Sequence, residues 1–145
     1  MSNNELIKCV LNAGSKIHKT LGPGLLKEVY LECMIYELSK SGIIVEQHKQ
    51  MPLRYESLQF DNAYKVDLWI ENYMIIGIKP DHTSDILFHK YIETHVKLSG
   101  LYIGMALDFN RDDFRSGAKV IEKKISRPVA PPIMFTEDYY YRKKY

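Results

Sequence analysis

The sequence predicts an α/β or α+β domain in which helices flank a single β-sheet. Two observations predict this class. Two N-terminal stretches and one later stretch show apolar residues at helical spacing, whereas the segments between and after them alternate or are apolar throughout. The chain has 145 residues, 46% of them hydrophobic and 26% charged, which is typical of one globular domain.

The N-terminal part predicts two helices with a tight turn between them. Residues 5–21 place apolar side chains three or four positions apart, and Gly22-Pro23-Gly24 then ends the first helix. A second helix is predicted from about Leu25 to Lys40. Its expected buried side consists of Leu26, Val29, Tyr30, Cys33, Met34 and Leu38.

The rest of the chain predicts six strands and one more helix. The predicted strands are Ile43–Gln47, Met51–Tyr55, Ala63–Glu71, Tyr73–Lys79, Leu101–Phe109 and Lys119–Ile125. The short turn at Glu71-Asn72 predicts a hairpin, and the apolar run Leu101–Phe109 predicts a strand buried on both faces. The third helix, from about Ser84 to Ser99 with Gly100 as its C-cap, has Leu87, Tyr91, Thr94 and Leu98 on one side.

The end of the chain differs in composition from the rest. The proline-containing stretch 127–132 breaks regular structure, so we expect a domain at residues 1–126 and a tail at residues 127–145. Aromatic and basic residues alternate within Tyr139–Tyr145, which suits stacking on bases and contacts with phosphates, but equally a solvated or docked terminus. The residues that we expect to bind nucleic acid are Lys119, Lys123, Lys124, Arg142, Lys143 and Lys144.

Charge and cysteine content narrow the class of protein. A net charge of +2 is too small to indicate nucleic-acid binding by itself. Cys9 and Cys33 lie in apolar helical stretches and are expected to be free thiols of a reducing compartment. The polar first five residues and the absence of a long apolar run predict an intracellular, cytoplasmic or particle-packaged protein without a membrane segment.

The predicted hairpin carries the residues that suggest chemistry. Asp67 faces away from Val66 and Leu68, and Gly77 and Lys79 share one face of the partner strand. A carboxylate and a lysine on neighbouring strands form half of a metal-dependent phosphodiester-cleaving site. Taken singly, a strand aspartate or a terminal lysine is more often an ordinary solvated residue, and a glycine at position 77 equally fits a bulge or a close approach of backbone.

Four segments extend this observation into a family resemblance. Residues 17–30, Tyr64–Leu68, Lys97–Leu101 and Asp108–Asn110 resemble, in order, the segments of the GxxExxY family of the PD-(D/E)XK nuclease superfamily. The resemblance covers roughly residues 5–125. It implies a restriction-endonuclease-like fold, with a central mixed sheet flanked by helices, and an ancestry of Mg²⁺-dependent cleavage of nucleic acid.

The resemblance also places the family's active-site positions on this chain. The helix glutamate falls on Lys27, the strand aspartate on Asp67, the acid of the E-x-K pair on Gly77 and its lysine on Lys79. The glutamine and tyrosine of the following helix fall on Tyr91 and His95. Asp67 is then the only plausible metal ligand, so the resemblance implies a degenerate catalytic site and no bound cofactor.

Three functions remain open at the level of sequence. The first is a catalytically inactive, nuclease-like scaffold that binds nucleic acid non-specifically or binds a protein. The second is an active Mg²⁺-dependent nuclease that uses a displaced acid such as Glu28, Asp81 or Asp85. The third is a structural protein that forms oligomers, because aromatic residues and methionine are enriched at interfaces.

Overall fold

A computed structural model describes residues 1–123 and confirms the predicted fold class. Its helices are α1 (Asn3–Leu21), α2 (Lys27–Lys40) and α3 (Asp85–Ser99), and its strands are β1 (Glu46–Tyr55), β2 (Leu58–Ile70), β3 (Met74–Ile78), β4 (Ile103–Leu107) and β5 (Ala118–Glu122). Residues 1–49 and 66–123 form one compact unit, and residues 50–65 are the described part of a second. The domain boundary expected after residue 126 lies outside the described residues.

The five strands form one mixed sheet in the order β1-β2-β3-β4-β5. The predicted hairpin is confirmed, since β2 and β3 are antiparallel with Leu68 opposite Ile76. β3 and β4 are parallel, and α3 makes the crossover between them, as parallel neighbours require. β5 returns antiparallel to β4.

The first helix begins at Asn3, before the predicted range 5–21, and ends at Leu21 as predicted. Ser2 and Glu5 form a capping box, in which the Glu5 amide donates to the Ser2 hydroxyl at 3.1 Å and the Ser2 amide donates to the Glu5 carboxylate at 2.8 Å. Gly22 ends the helix with a φ of 78°, a conformation that favours glycine. The predicted apolar face is buried at Leu6, Val10, Ala13 and Ile17.

The sheet separates two apolar layers. On one face, Leu68, Ile70, Ile76, Ile78, Met105 and Leu107 join the buried residues of α1 and α2 in the main core. On the other face, Phe88, Ile92 and Val96 of α3 are buried, and they pack over the backbone at Gly77 and Gly104. Both β3 and β4 are buried at every residue. This confirms the prediction that the apolar strand within Leu101–Phe109 is covered on both faces.

Two details of the prediction were wrong. β1 is one strand, whereas the sequence predicted Ile43–Gln47 and Met51–Tyr55 separately; His48, between them, has a φ of 53° and interrupts the alternation. Leu26 and Val29 are exposed, because Leu26 is the N-cap of α2 and the helix packs through Tyr30, Leu31, Met34 and Leu38.

The predicted row on one side of α3 is not the side that packs on the sheet. The row of Leu87, Tyr91, Thr94 and Leu98 is exposed, and the neighbouring row of Phe88, Ile92 and Val96 is buried instead. Within residues 1–123, no helix is both long and apolar enough to cross a membrane.

Candidate functional site

The β2–β3 hairpin places Asp67 in a buried position. Asp67 is 8% exposed. Its Oδ2 accepts a hydrogen bond of 2.9 Å from the backbone N–H of Ile78 on the neighbouring strand. A charged acceptor makes this a strong bond, and the bond holds the carboxylate in one orientation. Asp67 is therefore a rigidly placed carboxylate rather than a solvated strand residue.

A lysine lies against this carboxylate. Lys27, the first residue of α2, has its Nζ 3.0 Å from Oδ2 of Asp67, and its side chain is 32% exposed. The same carboxylate oxygen thus receives both the ammonium group and the Ile78 amide. The cation of Lys27 therefore already neutralises this oxygen of Asp67.

The turn between α1 and α2 is tied down so that Lys27 has a defined position. The Tyr30 hydroxyl donates to the Gly22 carbonyl at 2.7 Å and accepts from the Leu25 amide at 3.0 Å. The ring of Tyr30 stacks on Phe109 with centroids 4.4 Å apart and planes 7° apart. The start of α2 is therefore fixed both by hydrogen bonds and by aromatic packing.

Asn110 connects this turn to the ends of two strands, and sequence reasoning gave it no such role. Its Oδ1 accepts from the Gly24 amide at 2.8 Å, and its Nδ2 donates to Asp81 at 2.9 Å. Nearby, Nε2 of His18 lies 2.6 Å from the Arg111 carbonyl, which fits a donated hydrogen bond. The resemblance at Asp108–Asn110 was the available signal, but the partners of Asn110 depend on the fold.

A side chain at Gly77 would have to displace the end of the Ile92 side chain. A Cβ atom at this position would lie 2.5 Å from Cδ1 of Ile92 and 3.3 Å from Cζ of Phe88. Contacts below 3 Å require a neighbouring side chain to move. The position therefore faces the apolar side of α3.

Lys79 follows β3 and takes part in a separate network. Its Nζ is 4.0 Å from Oδ1 of Asp85, whose other oxygen accepts a hydrogen bond from the Arg111 guanidinium. Nε of Arg111 donates to Asp108 at 3.0 Å. Lys79 therefore has only a loose partner in Asp85, because Arg111 binds that carboxylate more closely.

A cleft of about 220 Å³ lies beside these groups. Lys27 and Lys79 both line it, whereas Asp67 and Gly77 do not. Its lining residues are Leu25, Leu26, Lys27, Tyr30, Ile78, Lys79, Pro80, Asp81, Phe109 and Asn110. The cleft thus presents the two lysines of the expected site without the aspartate.

Tyr91 and His95 extend from the side of α3. Tyr91 is 48% exposed, and His95 is half-buried. Burial lowers the pKa of His95, and the charge of Asp67 opposes this shift. His95 therefore lies close enough to Asp67 for the charge of that carboxylate to act on it.

The neighbouring acids that could replace the missing ligands have other partners. The carboxylate of Glu28 lies 2.9 Å from Nε2 of His48, and Glu28 is mostly exposed. Asp81 accepts from Asn110, and Asp85 binds Arg111. Within residues 1–123, no group of three or more His, Cys, Asp or Glu side chains could hold a metal ion. The residues at the matched positions therefore do not fit the Mg²⁺ that such a fold usually carries, because Mg²⁺ requires oxygen ligands.

The expected nucleic-acid-binding residues are only partly described. Lys119 is exposed on β5, and Nζ of Lys123 lies 5.4 Å from the ring centroid of Tyr102. Lys124, Arg142, Lys143 and Lys144 lie outside the described residues. The structure does not bring Lys119 or Lys123 to the cleft lining.

The mixed sheet flanked by helices, with its hairpin aspartate and lysine, is the architecture of a restriction-endonuclease-like protein. The profile of the PD-(D/E)XK nuclease superfamily matches residues 4–121. The chain belongs to that superfamily. No curated protein and no solved structure matches it.

Proposed function

We propose that this chain is a GxxExxY-type member of the superfamily whose metal site is degenerate, and that it acts as a scaffold without cleaving nucleic acid. The observation that carries the proposal is the ammonium group of Lys27, 3.0 Å from the Asp67 carboxylate. A catalytic site of this class needs a divalent cation that clamps the phosphate and activates water. In this chain Lys27 forms an ion pair with the carboxylate that a metal ion would need as a ligand.

The electrostatic cost of adding a metal is large. A divalent ion about 4 Å from an ammonium group is repelled by about 8 kcal/mol at an effective dielectric constant of 20, before salt screening. Asp67 would have to attract the metal alone among the matched positions, and its carboxylate already binds Lys27 and the Ile78 amide. Metal binding at Asp67 is therefore expected to be very weak.

The packing at Gly77 supports the same conclusion independently. In the expected site this position supplies a second carboxylate, yet Ile92 and Phe88 fill the corresponding space. The absence of an acid at this position thus coincides with an apolar layer under α3. A protein that kept metal chemistry would need a different second ligand.

The alternative of an active nuclease requires an acid to leave its present partner. Glu28 would have to release His48 and turn with α2, and Asp85 would have to release Arg111. Turning α2 by one residue, about 100°, would move its buried residues out of the core. The inactive scaffold, which binds nucleic acid non-specifically or a protein partner, needs neither change.

A cleavage assay tests the proposal. The full-length chain is incubated with plasmid DNA, single-stranded DNA and RNA in millimolar Mg²⁺ or Mn²⁺, beside Asp67→Ala and the exposed control Asp61→Ala. We expect no cleavage above background from any of the three proteins. Cleavage by the wild type and by Asp61→Ala that disappears in Asp67→Ala would refute the proposal.

A further inference from the structure

Helix α3 carries a second apolar row that the sheet does not cover. Leu87, Tyr91 and Leu98 are 44%, 48% and 40% exposed, and Thr94 lies between the last two. The sheet-facing row consists of different residues and is already buried. We call the exposed row of Leu87, Tyr91, Thr94 and Leu98 the α3 seam.

The spacing of the α3 seam is that of a helix-pairing surface. Its members follow one another at intervals of four, three and four residues, which is the alternation of the a and d positions of a heptad. Side chains at this spacing form one narrow stripe along three turns of helix. Such a stripe matches the apolar stripe of a second helix better than it matches a compact ligand.

Two lysines border the seam on its solvent side. Lys90 and Lys97 lie one heptad apart, and both are exposed. Each directly precedes a seam residue, so both stand in the flanking position that sets the charge preference of a paired helix. Neither has an ion-pair partner in the described part of the chain.

We infer that the α3 seam binds an amphipathic helix of a partner protein that carries acidic residues beside its apolar stripe. The apolar row provides the contact area, and Lys90 and Lys97 select acidic flanks by charge complementarity. The inference is independent of the catalytic state of the chain, because none of its steps requires the Lys27–Asp67 pair.

A second copy of this chain fits the seam less well. An antiparallel pairing that sets Leu87 against Leu98 of the other copy also sets Lys90 against Lys97 of that copy. Each dimer would then contain two facing pairs of like charges at its flanks, which is unfavourable.

Nucleic acid also fits the seam less well. The formal charges on α3 cancel, since Asp85 and Glu93 balance Lys90 and Lys97. Nucleic-acid interfaces are strongly positive, and within the seam only Tyr91 offers an aromatic face on which a base could stack. The two leucines of the seam therefore favour a protein helix.

The experiment uses designed peptides as probes. One three-heptad peptide has Leu at positions a and d and Glu at positions e and g, and its matched partner has Lys in place of Glu. Fluorescence anisotropy measures the binding of each to the full-length chain. We expect the acidic peptide to bind roughly tenfold or more tightly than the basic one.

Variants of the chain show whether the seam is responsible. Leu87→Ser with Leu98→Ser should weaken binding of the acidic peptide by roughly tenfold or more, since two apolar contacts are lost. Lys90→Glu with Lys97→Glu should reverse the preference in favour of the basic peptide. Tyr36→Ser, which removes an exposed aromatic side chain from α2, is the matched control and should bind as the wild type does.

Several results would overturn the inference. These are no binding of either peptide, equal binding of both, or acidic-peptide binding that survives the Leu87→Ser, Leu98→Ser double substitution. Sedimentation that shows a dimer dissociated by this double substitution would assign the seam to a second copy. Loss of duplex-DNA binding in the same variant would assign it to nucleic acid.

Discussion

Lys27→Glu turns the cation that contacts Asp67 into a second carboxylate, the residue type that the family resemblance expects at this position. In the absence of metal, the substitution replaces an attraction with a repulsion beside a buried acid. Lys27→Met is the matched control, because it removes the charge while it keeps a long side chain. The two variants together separate the loss of a cation from the gain of a metal ligand.

The contact geometry sets the size of the effect. Opposite charges 3.0 Å apart attract by about 5–6 kcal/mol at an effective dielectric constant of 20. Lys27 is 32% exposed, so solvent screens much of this energy. We expect Lys27→Met to lower the free energy of unfolding by about 1–3 kcal/mol. Lys27→Glu should lower it by about 2–4 kcal/mol, since the two carboxylates also repel.

The assay is thermal unfolding with and without Mn²⁺ or Mg²⁺. A metal present at ten times its Kd stabilises the folded state by about 1.4 kcal/mol, which corresponds to a rise in Tm of roughly 3–6 °C for a domain of this size. We expect such a rise only for Lys27→Glu. The wild type and Lys27→Met should show none.

Placing a further acid at position 77, beside Asp67 and Glu at position 27, requires space under α3. Because a Cβ at Gly77 would lie 2.5 Å from Ile92, Lys27→Glu with Gly77→Glu should melt below Lys27→Glu alone unless Ile92→Ala is also introduced. If Mn²⁺ raises the Tm of the wild type and the rise disappears in Asp67→Ala, then Lys27 does not block metal binding and the reasoning fails. An identical metal response of Lys27→Glu and Lys27→Met would refute it as well.

Two other predictions concern pH and salt. Burial lowers the pKa of His95 below its ordinary value of 6.5, so the stability associated with its neutral form is complete above pH 6.5 and is lost as the pH falls through the folded-state pKa. Urea unfolding between pH 8 and pH 5 should therefore show a smaller loss of stability for His95→Asn than for the wild type, and parallel curves would contradict this prediction. Binding of nucleic acid by the basic residues at the end of the chain should be non-specific and weaken steeply with added salt, and deletion of Tyr139–Tyr145 should lower affinity and flatten the salt dependence. Unchanged binding after the deletion, or none at any salt concentration, would favour protein assembly over nucleic-acid binding.

Much of the fold could be predicted because local signals agree with it. The capped N-terminus and periodic apolar face of α1, the glycines that follow α1 and α3, and the short β2–β3 turn each act over a few residues. The residue types at positions 27, 67 and 77 could also be read directly from the sequence, including the absence of a carboxylate at Lys27 and Gly77. The sequence alone therefore determined the class of fold, and it contains one carboxylate, Asp67, at the positions that the resemblance assigns to the metal site.

The tertiary structure decided what those residues do. Lys27 contacts Asp67 because the α1–α2 turn is held by Tyr30 and Asn110, which are distant from Asp67 in sequence. Ile92 fills the space at Gly77 because α3 crosses over β3. Periodicity identified one row on α3 but could not tell whether it is buried, because two rows have similar spacing and only the position of the sheet determines which of them is buried.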